Sequence, residues 1–200
     1  MGWKAPENSD NEANNRRIAA LIERAQEGDT ASFEALVREF LPQLRRFAKG
    51  FSTLDADDVA QEALIKAYRS IRAYRFDSSF RTWLFRITRN ACIDAERKRR
   101  SHKAKEEALR GEHTNLEHSH TKLPDQELLA RERQAQLWLH IRALPKRFRV
   151  PLILCDIEGL SYQEAADIER IPVGTARSRL ARARAKLRVL LEQAKEQDPP

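Results

Sequence analysis

The chain has 200 residues, with 37 Lys or Arg, 30 Asp or Glu, a formal net charge of +7 and a mean hydropathy of −0.68. No apolar run approaches the ~20 residues of a membrane-spanning helix, and residues 1–15 lack the apolar core of a signal peptide, so we expect a cytoplasmic protein. Cys92 and Cys155 are far apart, which argues against a disulfide framework and a paired-cysteine zinc module. Neither GxGxxG nor GxxxxGK[ST] occurs, which argues against a glycine-rich phosphate loop.

The polar residues 1–15 predict a disordered tail. Apolar residues at helix spacing follow, and they predict a first helix that Gly28 ends. Asp29 or Thr30 is expected to cap a second helix, which Pro42 should kink or interrupt.

Two further helices are predicted in this first domain, residues 16–101. One covers Asp55 to Arg72, and Tyr68 is expected among its inward residues. After a turn at 77–79, the other runs from about Phe80 to Arg100.

Residues 102–123 have a different composition. Five of these 22 residues are apolar, and four Lys or Arg balance four Glu, so we expect a flexible linker. His113, His118 and His120 lie here, but without Cys or a structured frame a loop is favoured over a metal site.

A second domain is predicted over 124–193, followed by a tail at 194–200. Its apolar spacing indicates a helix ending near Pro145, another over about 146–157, and two more at 161–169 and 173–191. No alternating strand pattern occurs in either domain. The predicted fold class is therefore all-α, with two small helical domains joined by a flexible linker.

Positive charge is concentrated in two blocks. Residues 80–105 carry nine basic and two acidic side chains, whereas residues 170–191 carry seven basic and none acidic, so each block is +7 and the remainder is −7. Two solvated helix faces are one explanation. Two contacts with a polyanion explain better why the second block contains a single sign.

The segment from Ser161 to Leu180 predicts a helix-turn-helix at about 161–181. Ser161 and Glu164 form a capping-box pattern, and Pro172 ends the first short helix. A basic second helix follows, and a plain helical hairpin is the alternative. In a helix-turn-helix the second helix enters the major groove, where Arg can contact guanine and Ser a base or phosphate. We expect Arg177, Ser178 and Arg182 in those roles, with Thr175 and Arg179 in phosphate or framework roles.

Two further patterns lie in the first domain. On the 55–72 helix a mostly acidic and polar stripe faces away from the apolar one, and it predicts a protein-docking face or a solvated face; its residues are Asp58, Gln61, Glu62 and Ile65. Residues 74–90 interleave aromatic residues with Arg, a composition that suits unpaired bases. Phe76, Arg86, Arg89 and Asn90 are the predicted DNA contacts, and Trp83, Leu84 and Ile87 are expected to be mostly core.

These motifs together resemble bacterial sigma factors of the extracytoplasmic-function (ECF) type. The sequence Asp57-Asp58-Val59-Ala60-Gln61-Glu62-Ala63 resembles region 2.2, residues 80–87 resemble regions 2.3 to 2.4, and residues 172–179 resemble region 4.2. The resemblance implies a transcription initiation factor that binds core RNA polymerase, recognises minus-thirty-five and minus-ten promoter elements, and helps melt the DNA. It implies no catalytic activity, metal or cofactor.

The resemblance also implies partners and site residues. The partners are core polymerase (the β′ clamp helices and the β subunit), promoter DNA and an anti-sigma factor, often membrane-anchored, which would hold the protein at the inner membrane face. Residues implied for core binding are Asp57, Asp58, Gln61, Glu62 and Ile65. Residues implied for the minus-ten element are Phe76, Phe80, Arg86, Arg89, Asn90 and Arg97. Residues implied for the minus-thirty-five element are Tyr162, Thr175, Arg177, Ser178, Arg179, Arg182 and Arg184.

This sequence departs from the family pattern at a few positions. Arg170 replaces the usual turn Gly, Ala176 and Arg177 precede Ser178, and Cys155 replaces a residue that is basic in some relatives. A stand-alone helix-turn-helix regulator with an N-terminal sensor or partner-binding lobe is the alternative function, and it predicts tight duplex binding without polymerase. A metal enzyme would need carboxylates or His clustered in a folded lobe, a pattern that this sequence lacks.

Overall fold

The computed structural model describes the backbone of residues 8–51, 55–109 and 125–197, and the side chains of 12–51, 55–102 and 134–194. Within these ranges the chain is helical and forms no strand, which confirms the all-α prediction. The helices are α1 (Asn8–Glu27), α2 (Thr30–Phe51), α3 (Ala56–Ser70), α4 (Phe80–Leu109), α5 (Asp125–Ala143), α6 (Lys146–Leu152), α7 (Tyr162–Glu169) and α8 (Val173–Gln197).

Local signals explain the starts of the helices in the N-terminal lobe (α1 to α4). Gly28 adopts φ 106° after α1, and Asp29 caps α2, since its Oδ1 accepts a hydrogen bond from the Ala31 backbone N–H at 3.0 Å. Asp55 caps α3 in the same way through the Asp57 N–H at 2.8 Å. The expected interruption at Pro42 does not occur, because α2 continues through that exposed residue to Phe51.

Aromatic packing holds the N-terminal lobe together. Phe47 and Phe85 are fully buried, and their rings pack edge to face with 5.3 Å between the ring centroids. Burying each such side chain stabilises the fold by ~1.5–3 kcal/mol. A short 3₁₀ turn, Ile71–Ala73, then leads from α3 towards α4.

The C-terminal lobe (α5 to α8) contains one irregular element. The predicted helix over 146–157 is α6 followed by a π-helical turn, Ile153–Ile157. Ile153 and Leu154 are fully buried there. The turn ends at Glu158, and Gly159, with φ 71°, redirects the chain into α7.

The two lobes pack directly against each other, and their buried residues form one continuous apolar core. Gly50 at the end of α2 lies against Trp138 and Ile153 of the C-terminal lobe: a Cβ at this position would be 2.8 Å from the Trp138 ring and 2.4 Å from Ile153 Cδ1. Glycine is therefore required for this close approach.

Three helices cross the boundaries expected from sequence. α1 begins at Asn8, within the segment 1–15 predicted as a tail, and α4 extends to Leu109, within the predicted linker 102–123. α8 extends to Gln197, within the predicted tail 194–200. The central part of each helix is stabilised by tertiary packing, so the helix can continue past the last apolar residue of the sequence pattern. The rest of the predicted linker, including His113, His118 and His120, and the end of the 194–200 tail lie outside the described residues.

Candidate nucleic-acid and polymerase interfaces

α7 and α8 form the two helices of the predicted helix-turn-helix. Ser161 caps α7: its Oγ accepts from the Glu164 N–H at 3.2 Å, and Glu164 Oε2 accepts from the Ser161 N–H at 2.9 Å. Burial pulls the pKa of Glu164 upward, but the hydrogen bonds from Ser161, Thr82 and Ser79 outweigh it and lower that pKa. The capping box predicted from sequence is therefore present and charged.

The turn between these helices depends on Arg170. This residue has φ 55° and ψ 50°, a left-handed conformation that favours glycine. Its backbone N–H nevertheless closes the last turn of α7, so the turn is made without the glycine usual in the family. A left-handed non-glycine residue costs about 1–2 kcal/mol.

The N-terminal part of α8 presents an exposed polar face. Arg177, Ser178 and Arg182 are exposed on it at helix spacing. Arg177 lies over the ring of the exposed Tyr162, with 5.5 Å from the guanidinium carbon to the ring centroid. Ser178 donates to the Thr175 carbonyl at 3.0 Å. An exposed polar face at the N-terminal end of the second helix is what the helix-turn-helix prediction requires.

Three other residues predicted for this surface have different surroundings. Thr175 is half-buried at the start of α8. Arg179 lies 3.6 Å from the buried Glu169 carboxylate, whose pKa is raised by burial against the opposing effect of the arginines. Arg184 donates to both carboxylate oxygens of Asp156, at 2.6 and 2.9 Å, which raises the pKa of Arg184. Arg179 and Arg184 therefore position α8 within the lobe.

The loop 74–79 forms a small aromatic platform. Phe76 is exposed (47%) and has φ 60°, and its ring lies 4.8 Å from that of the buried Tyr74. Tyr74 donates its hydroxyl to the Ser78 carbonyl at 2.6 Å, which fixes the loop. A bulky residue in a left-handed conformation at an exposed position is typical of functional loops.

The minus-ten residues predicted on α4 are only partly available at the surface. Asn90 and Arg97 are exposed, and the half-buried Arg86 donates to Ser78 Oγ at 3.1 Å. Arg89 is also half-buried, and its Nη2 donates to the Glu169 carbonyl of the C-terminal lobe at 3.4 Å.

Phe80 requires a correction. It is 4% exposed, with its ring stacked on Trp83 at 5.3 Å and edge-on to Phe40 at 5.6 Å. Phe80 is therefore a core residue and cannot offer its ring to a base, because the rings of Phe40, Tyr74 and Trp83 enclose it. Leu84 is buried, while Trp83 and Ile87 are half-buried against the core.

The acidic face of α3 is exposed as predicted for Asp57, Asp58 and Gln61, while Glu62 is half-buried. Asp57 pairs with Arg45 at 2.6 Å, and Glu62 pairs with Lys66 at 3.1 Å. Ile65 is 52% exposed in the same stripe.

Tyr68, expected to point inward, is 45% exposed and extends this stripe by one turn beyond Ile65. Its ring packs edge to face with the ring of Phe33, with 4.9 Å between the two ring centroids. An amphipathic pattern cannot distinguish a buried tyrosine from one at the border of the apolar stripe, which explains why it was missed.

Sequence reasoning also missed Glu158, whose side chain is fully buried between the lobes. Arg46 Nε and Nη2 donate to its two oxygens at 3.0 and 2.9 Å. Arg81 lies 3.6 Å from Oε2 and donates to the Glu158 carbonyl. Since these partners are about 80 to 110 positions away, no local pattern signals them.

Cys155 and Cys92 are free thiols. Burial raises the pKa of Cys155 to about 11 and that of Cys92 to about 12. Across the described residues no three His, Cys, Asp or Glu side chains are arranged to hold a metal ion. In the same part of the chain no helix combines the length and apolarity that crossing a bilayer requires.

Comparison with known proteins identifies both lobes. A family model for Sigma-70 region 2 matches residues 36–102, and a model for Sigma-70 region 4 matches residues 134–187. The first contains α3, the loop 74–79 and most of α4; the second contains the helix-turn-helix.

Whole-chain relatives give the same result. The ECF RNA polymerase sigma-E factor of Haemophilus influenzae is 36% identical over 170 residues, which cover 82% of this chain and 90% of that protein. The RNA polymerase sigma-H factor of Pseudomonas aeruginosa is 38% identical, covering 82% and 88%. The chain belongs to the ECF sigma factors of bacterial RNA polymerase.

Solved structures match the fold as well. CnrH in complex with the cytosolic domain of CnrY has a TM-score of 0.66 and 27% identity, covering 88% of this chain and 98% of that chain. The sigma factor RpoE from Bartonella quintana, in complex with the anti-sigma factor NepR, has a TM-score of 0.63 and 28% identity, covering 80% and 96%.

The protein is therefore a transcription initiation factor that binds core RNA polymerase and directs it to promoters. A stand-alone helix-turn-helix regulator is not favoured, because the N-terminal lobe matches sigma region 2 rather than a separate sensor domain.

Proposed function

We propose that three surfaces divide the work of this sigma factor. The exposed face of α3 binds core polymerase, the loop 74–79 with the exposed part of α4 holds the minus-ten element, and the N-terminal part of α8 reads the minus-thirty-five element. The observation that carries the proposal is that exposed acidic and apolar side chains lie together on α3, whereas the exposed side chains of α4 and of the N-terminal part of α8 are mainly basic.

The α8 assignment rests on Arg177, Ser178 and Arg182, which are exposed at the N-terminal end of a helix that follows a tight turn. Arginine can bind O6 and N7 of guanine with two hydrogen bonds. Tyr162 supports Arg177 by contact with its guanidinium. Arg179 and Arg184 act as positioning residues, because carboxylates within the lobe hold them.

The minus-ten assignment rests on Phe76, Arg86, Asn90 and Arg97. Phe76 offers an exposed ring on which an unpaired base can stack. Arg86 donates to Ser78 of that loop, and the exposed Asn90 lies one turn further along α4. Both can bind the backbone or a base edge. Arg97 is further along α4, in its basic part.

The polymerase assignment rests on the α3 stripe of Asp58, Gln61, Ile65 and Tyr68. Two exposed apolar side chains next to exposed acidic and amide groups are typical of a protein interface with a polar rim. An acidic face would repel DNA phosphates, so it is better suited to the polymerase.

An anti-sigma factor is the proposed regulator, since the matched structures of CnrH and of Bartonella quintana RpoE each contain one partner protein. We further propose that the protein acts in the cytoplasm, with no catalytic centre or cofactor of its own, and that the anti-sigma factor is membrane-anchored. The test is to capture a partner from the native host with the tagged full chain and add it to transcription reactions. The captured protein should abolish initiation, and undiminished initiation would contradict its role.

Run-off transcription with purified core polymerase on a promoter library tests the function itself. Holoenzyme should initiate at a defined set of promoters, and the free chain should bind duplex DNA weakly without core. Tight duplex binding without core, with no initiation at any promoter, would contradict the proposal.

Single substitutions test the α8 surface. Arg177→Ala or Arg182→Ala should weaken holoenzyme binding to the upstream element by ~1–3 kcal/mol and relax specificity there. Arg188→Ala, an exposed residue further along the same helix, is the matched control and should have a smaller effect. Equal losses in all three variants would contradict the assignment, because they would show that the lost positive charge, and not a contact with a base, weakens binding.

The α3 surface has its own test. Asp58→Lys should reduce co-elution with core polymerase, because it reverses a charge at the centre of the exposed stripe. Glu34→Lys, on an exposed position of α2, is the matched control and should co-elute normally. Unaltered co-elution of the Asp58 variant would contradict the docking assignment.

A further inference from the structure

The first helix, α1, contacts the start of the loop 74–79 through one polar side chain. Gln26 is half-buried near the end of α1, and its Nε2 donates to the Tyr74 carbonyl at 2.8 Å and to the Ile71 carbonyl at 2.9 Å. Carbonyl oxygens can only accept, so the amide nitrogen of Gln26 faces them and both of its N–H groups are used. Gln26 therefore ties α1 to residues that lie 45 and 48 positions further along the chain.

The position of Gln26 is fixed by its neighbours on α1. Ile22, one helical turn earlier, and Ala25, directly before Gln26, are both buried in the core of the N-terminal lobe. Ordering a side chain costs conformational entropy, and this cost is smaller where the backbone that carries it is already held by packing. Gln26 is therefore a fixed support for the residues that it contacts.

These hydrogen bonds hold the backbone where the loop begins. The Tyr74 N–H donates to the Ile71 carbonyl at 3.0 Å, so this oxygen accepts from both Tyr74 and Gln26. Among the described residues, Gln26 is the donor that the Tyr74 carbonyl receives. The peptide group between Tyr74 and Arg75 is thus held at its oxygen, immediately before Phe76.

The other end of the loop is held through Ser78. The Tyr74 hydroxyl donates to the Ser78 carbonyl at 2.6 Å, and Arg86 donates to Ser78 Oγ at 3.1 Å. Phe76 lies between the two held points with φ 60° and an exposed ring. A left-handed conformation at a bulky residue persists only where the surrounding contacts impose it. Gln26 supplies the contacts at the first of these two points.

We propose that Gln26 is a positioning residue for minus-ten recognition, which holds the loop 74–79 in the conformation that offers the Phe76 ring to an unpaired base. This inference rests on the proposed role of Phe76. A ring that is held in place before binding loses less conformational freedom when a base stacks on it. The proposal adds α1 to the promoter-binding machinery, although α1 ends before residue 36, where the match to Sigma-70 region 2 begins.

Two substitutions of Gln26 in the full chain test its donors separately from its shape. Gln26→Met keeps a side chain of similar length and removes both donors. Gln26→Glu keeps the shape, but at neutral pH its carboxylate can only accept, so it cannot bind the two carbonyl oxygens. The matched control is Gln134→Met, at an exposed position of α5. Circular dichroism and co-elution with core polymerase should match the wild type in all three variants, since none of them changes the α3 stripe.

Amide hydrogen exchange of the free chain, measured by NMR, tests whether Gln26 holds the start of the loop. The Tyr74 amide should exchange about fivefold faster or more in Gln26→Met and Gln26→Glu, because the turn that protects it opens more often. Its exchange in Gln134→Met should equal that of the wild type. Unchanged exchange of the Tyr74 amide in both Gln26 variants would overturn the proposal.

DNA binding by holoenzyme tests whether Gln26 acts through Phe76. The probe is a fluorescein-labelled, A/T-rich single-stranded 12-mer, and the readout is anisotropy after subtraction of the signal from core polymerase alone. Phe76→Ala should weaken binding about tenfold, because a stacking partner is lost, and Gln26→Met should weaken it about threefold to fivefold, as expected for a lost hydrogen bond.

The double variant Gln26→Met with Phe76→Ala gives the decisive comparison. It should bind the probe no more weakly than Phe76→Ala alone, because a ring that is absent cannot be positioned. A merely structural role would instead give losses that multiply, and this result would overturn the positioning role.

The same measurements distinguish failure of this inference from failure of the proposed function. Wild-type affinity in Phe76→Ala holoenzyme would refute the proposed role of the loop, and the inference with it. A loss in Phe76→Ala together with wild-type affinity in Gln26→Met and Gln26→Glu would refute the role of Gln26 alone.

Discussion

In the C-terminal lobe Arg177 and Arg182 are exposed on the face that we propose to read DNA, whereas in the N-terminal lobe Arg81 and Arg89 are turned towards the other lobe. A helix-turn-helix forms its reading surface from two adjacent helices, so local folding is enough to present it. The N-terminal lobe shares part of its basic surface with the lobe junction. The surface proposed for the upstream element is therefore formed within one lobe, whereas Arg89 of the basic helix α4 is held by the other lobe.

The largest effect is expected from Leu180→Ala in α8. Leu180 is 1% exposed, and removing a buried leucine costs ~2–5 kcal/mol because a cavity remains. Upstream-element recognition should be lost, while core association through α3 persists. Urea unfolding measures the loss of stability, and co-elution with core polymerase measures the association through α3. Val189→Ala, at a half-exposed position of the same helix, should cost under about 0.5 kcal/mol, and a similarly small loss for Leu180→Ala would show that α8 does not depend on this packing.

Glu164→Gln should cost about 1 kcal/mol at pH 7, because it weakens the capping box and the contact with Thr82. The folded-state pKa of Glu164 is lowered below 4.5. Its contribution is therefore present above pH 4.5 and is lost as the pH falls through the lower folded pKa. Unfolding curves should show a deficit at neutral pH that shrinks progressively as the pH falls below 4.5. Glu23→Gln, on the exposed face of α1, should show no such dependence, and a deficit constant with pH would contradict the assignment.

A smaller effect of opposite sign is expected from Arg170→Gly. Relief of the left-handed strain, offset by the greater entropy of glycine in the unfolded chain, should stabilise the protein by about 0.5–1 kcal/mol. Arg188→Gly, inside α8, should instead destabilise by about 1 kcal/mol. Thermal unfolding checks both signs, and destabilisation by Arg170→Gly would mean that the arginine side chain stabilises the turn.

The smallest effect is a difference in thiol reactivity between the lobes. Cys155 is half-buried with a pKa near 11, and Cys92 is fully buried with a pKa near 12. The thiolate is the reactive form, so a disulfide reagent should label Cys155 at least tenfold faster in the native protein. In denaturant the two rates should converge. Faster labelling of Cys92 would show that the N-terminal lobe opens more readily than the C-terminal lobe.

Much of the fold follows from short-range patterns. Apolar spacing predicted the helices of both lobes, Gly28 and Asp29 marked the boundary of α1 and α2, and Ser161 with Glu164 predicted the capping box. Each of these depends on residues within about four positions of each other, where a helix brings side chains together. The exposed acidic face of α3 followed from the same spacing.

The sequence alone thus determined the helical class and the presence of two sigma regions, and it predicted the three surfaces that we propose. Tertiary structure decided that Phe80 is core, that Tyr68 is exposed, that Arg170 turns left-handed, and that Glu158 joins the lobes. These features depend on neighbours far away in the chain, such as Phe40 for Phe80 and Arg46 for Glu158. Local periodicity reports which face of a helix is apolar, but only the packing of helices against each other determines which side chains that face meets and which charges become buried.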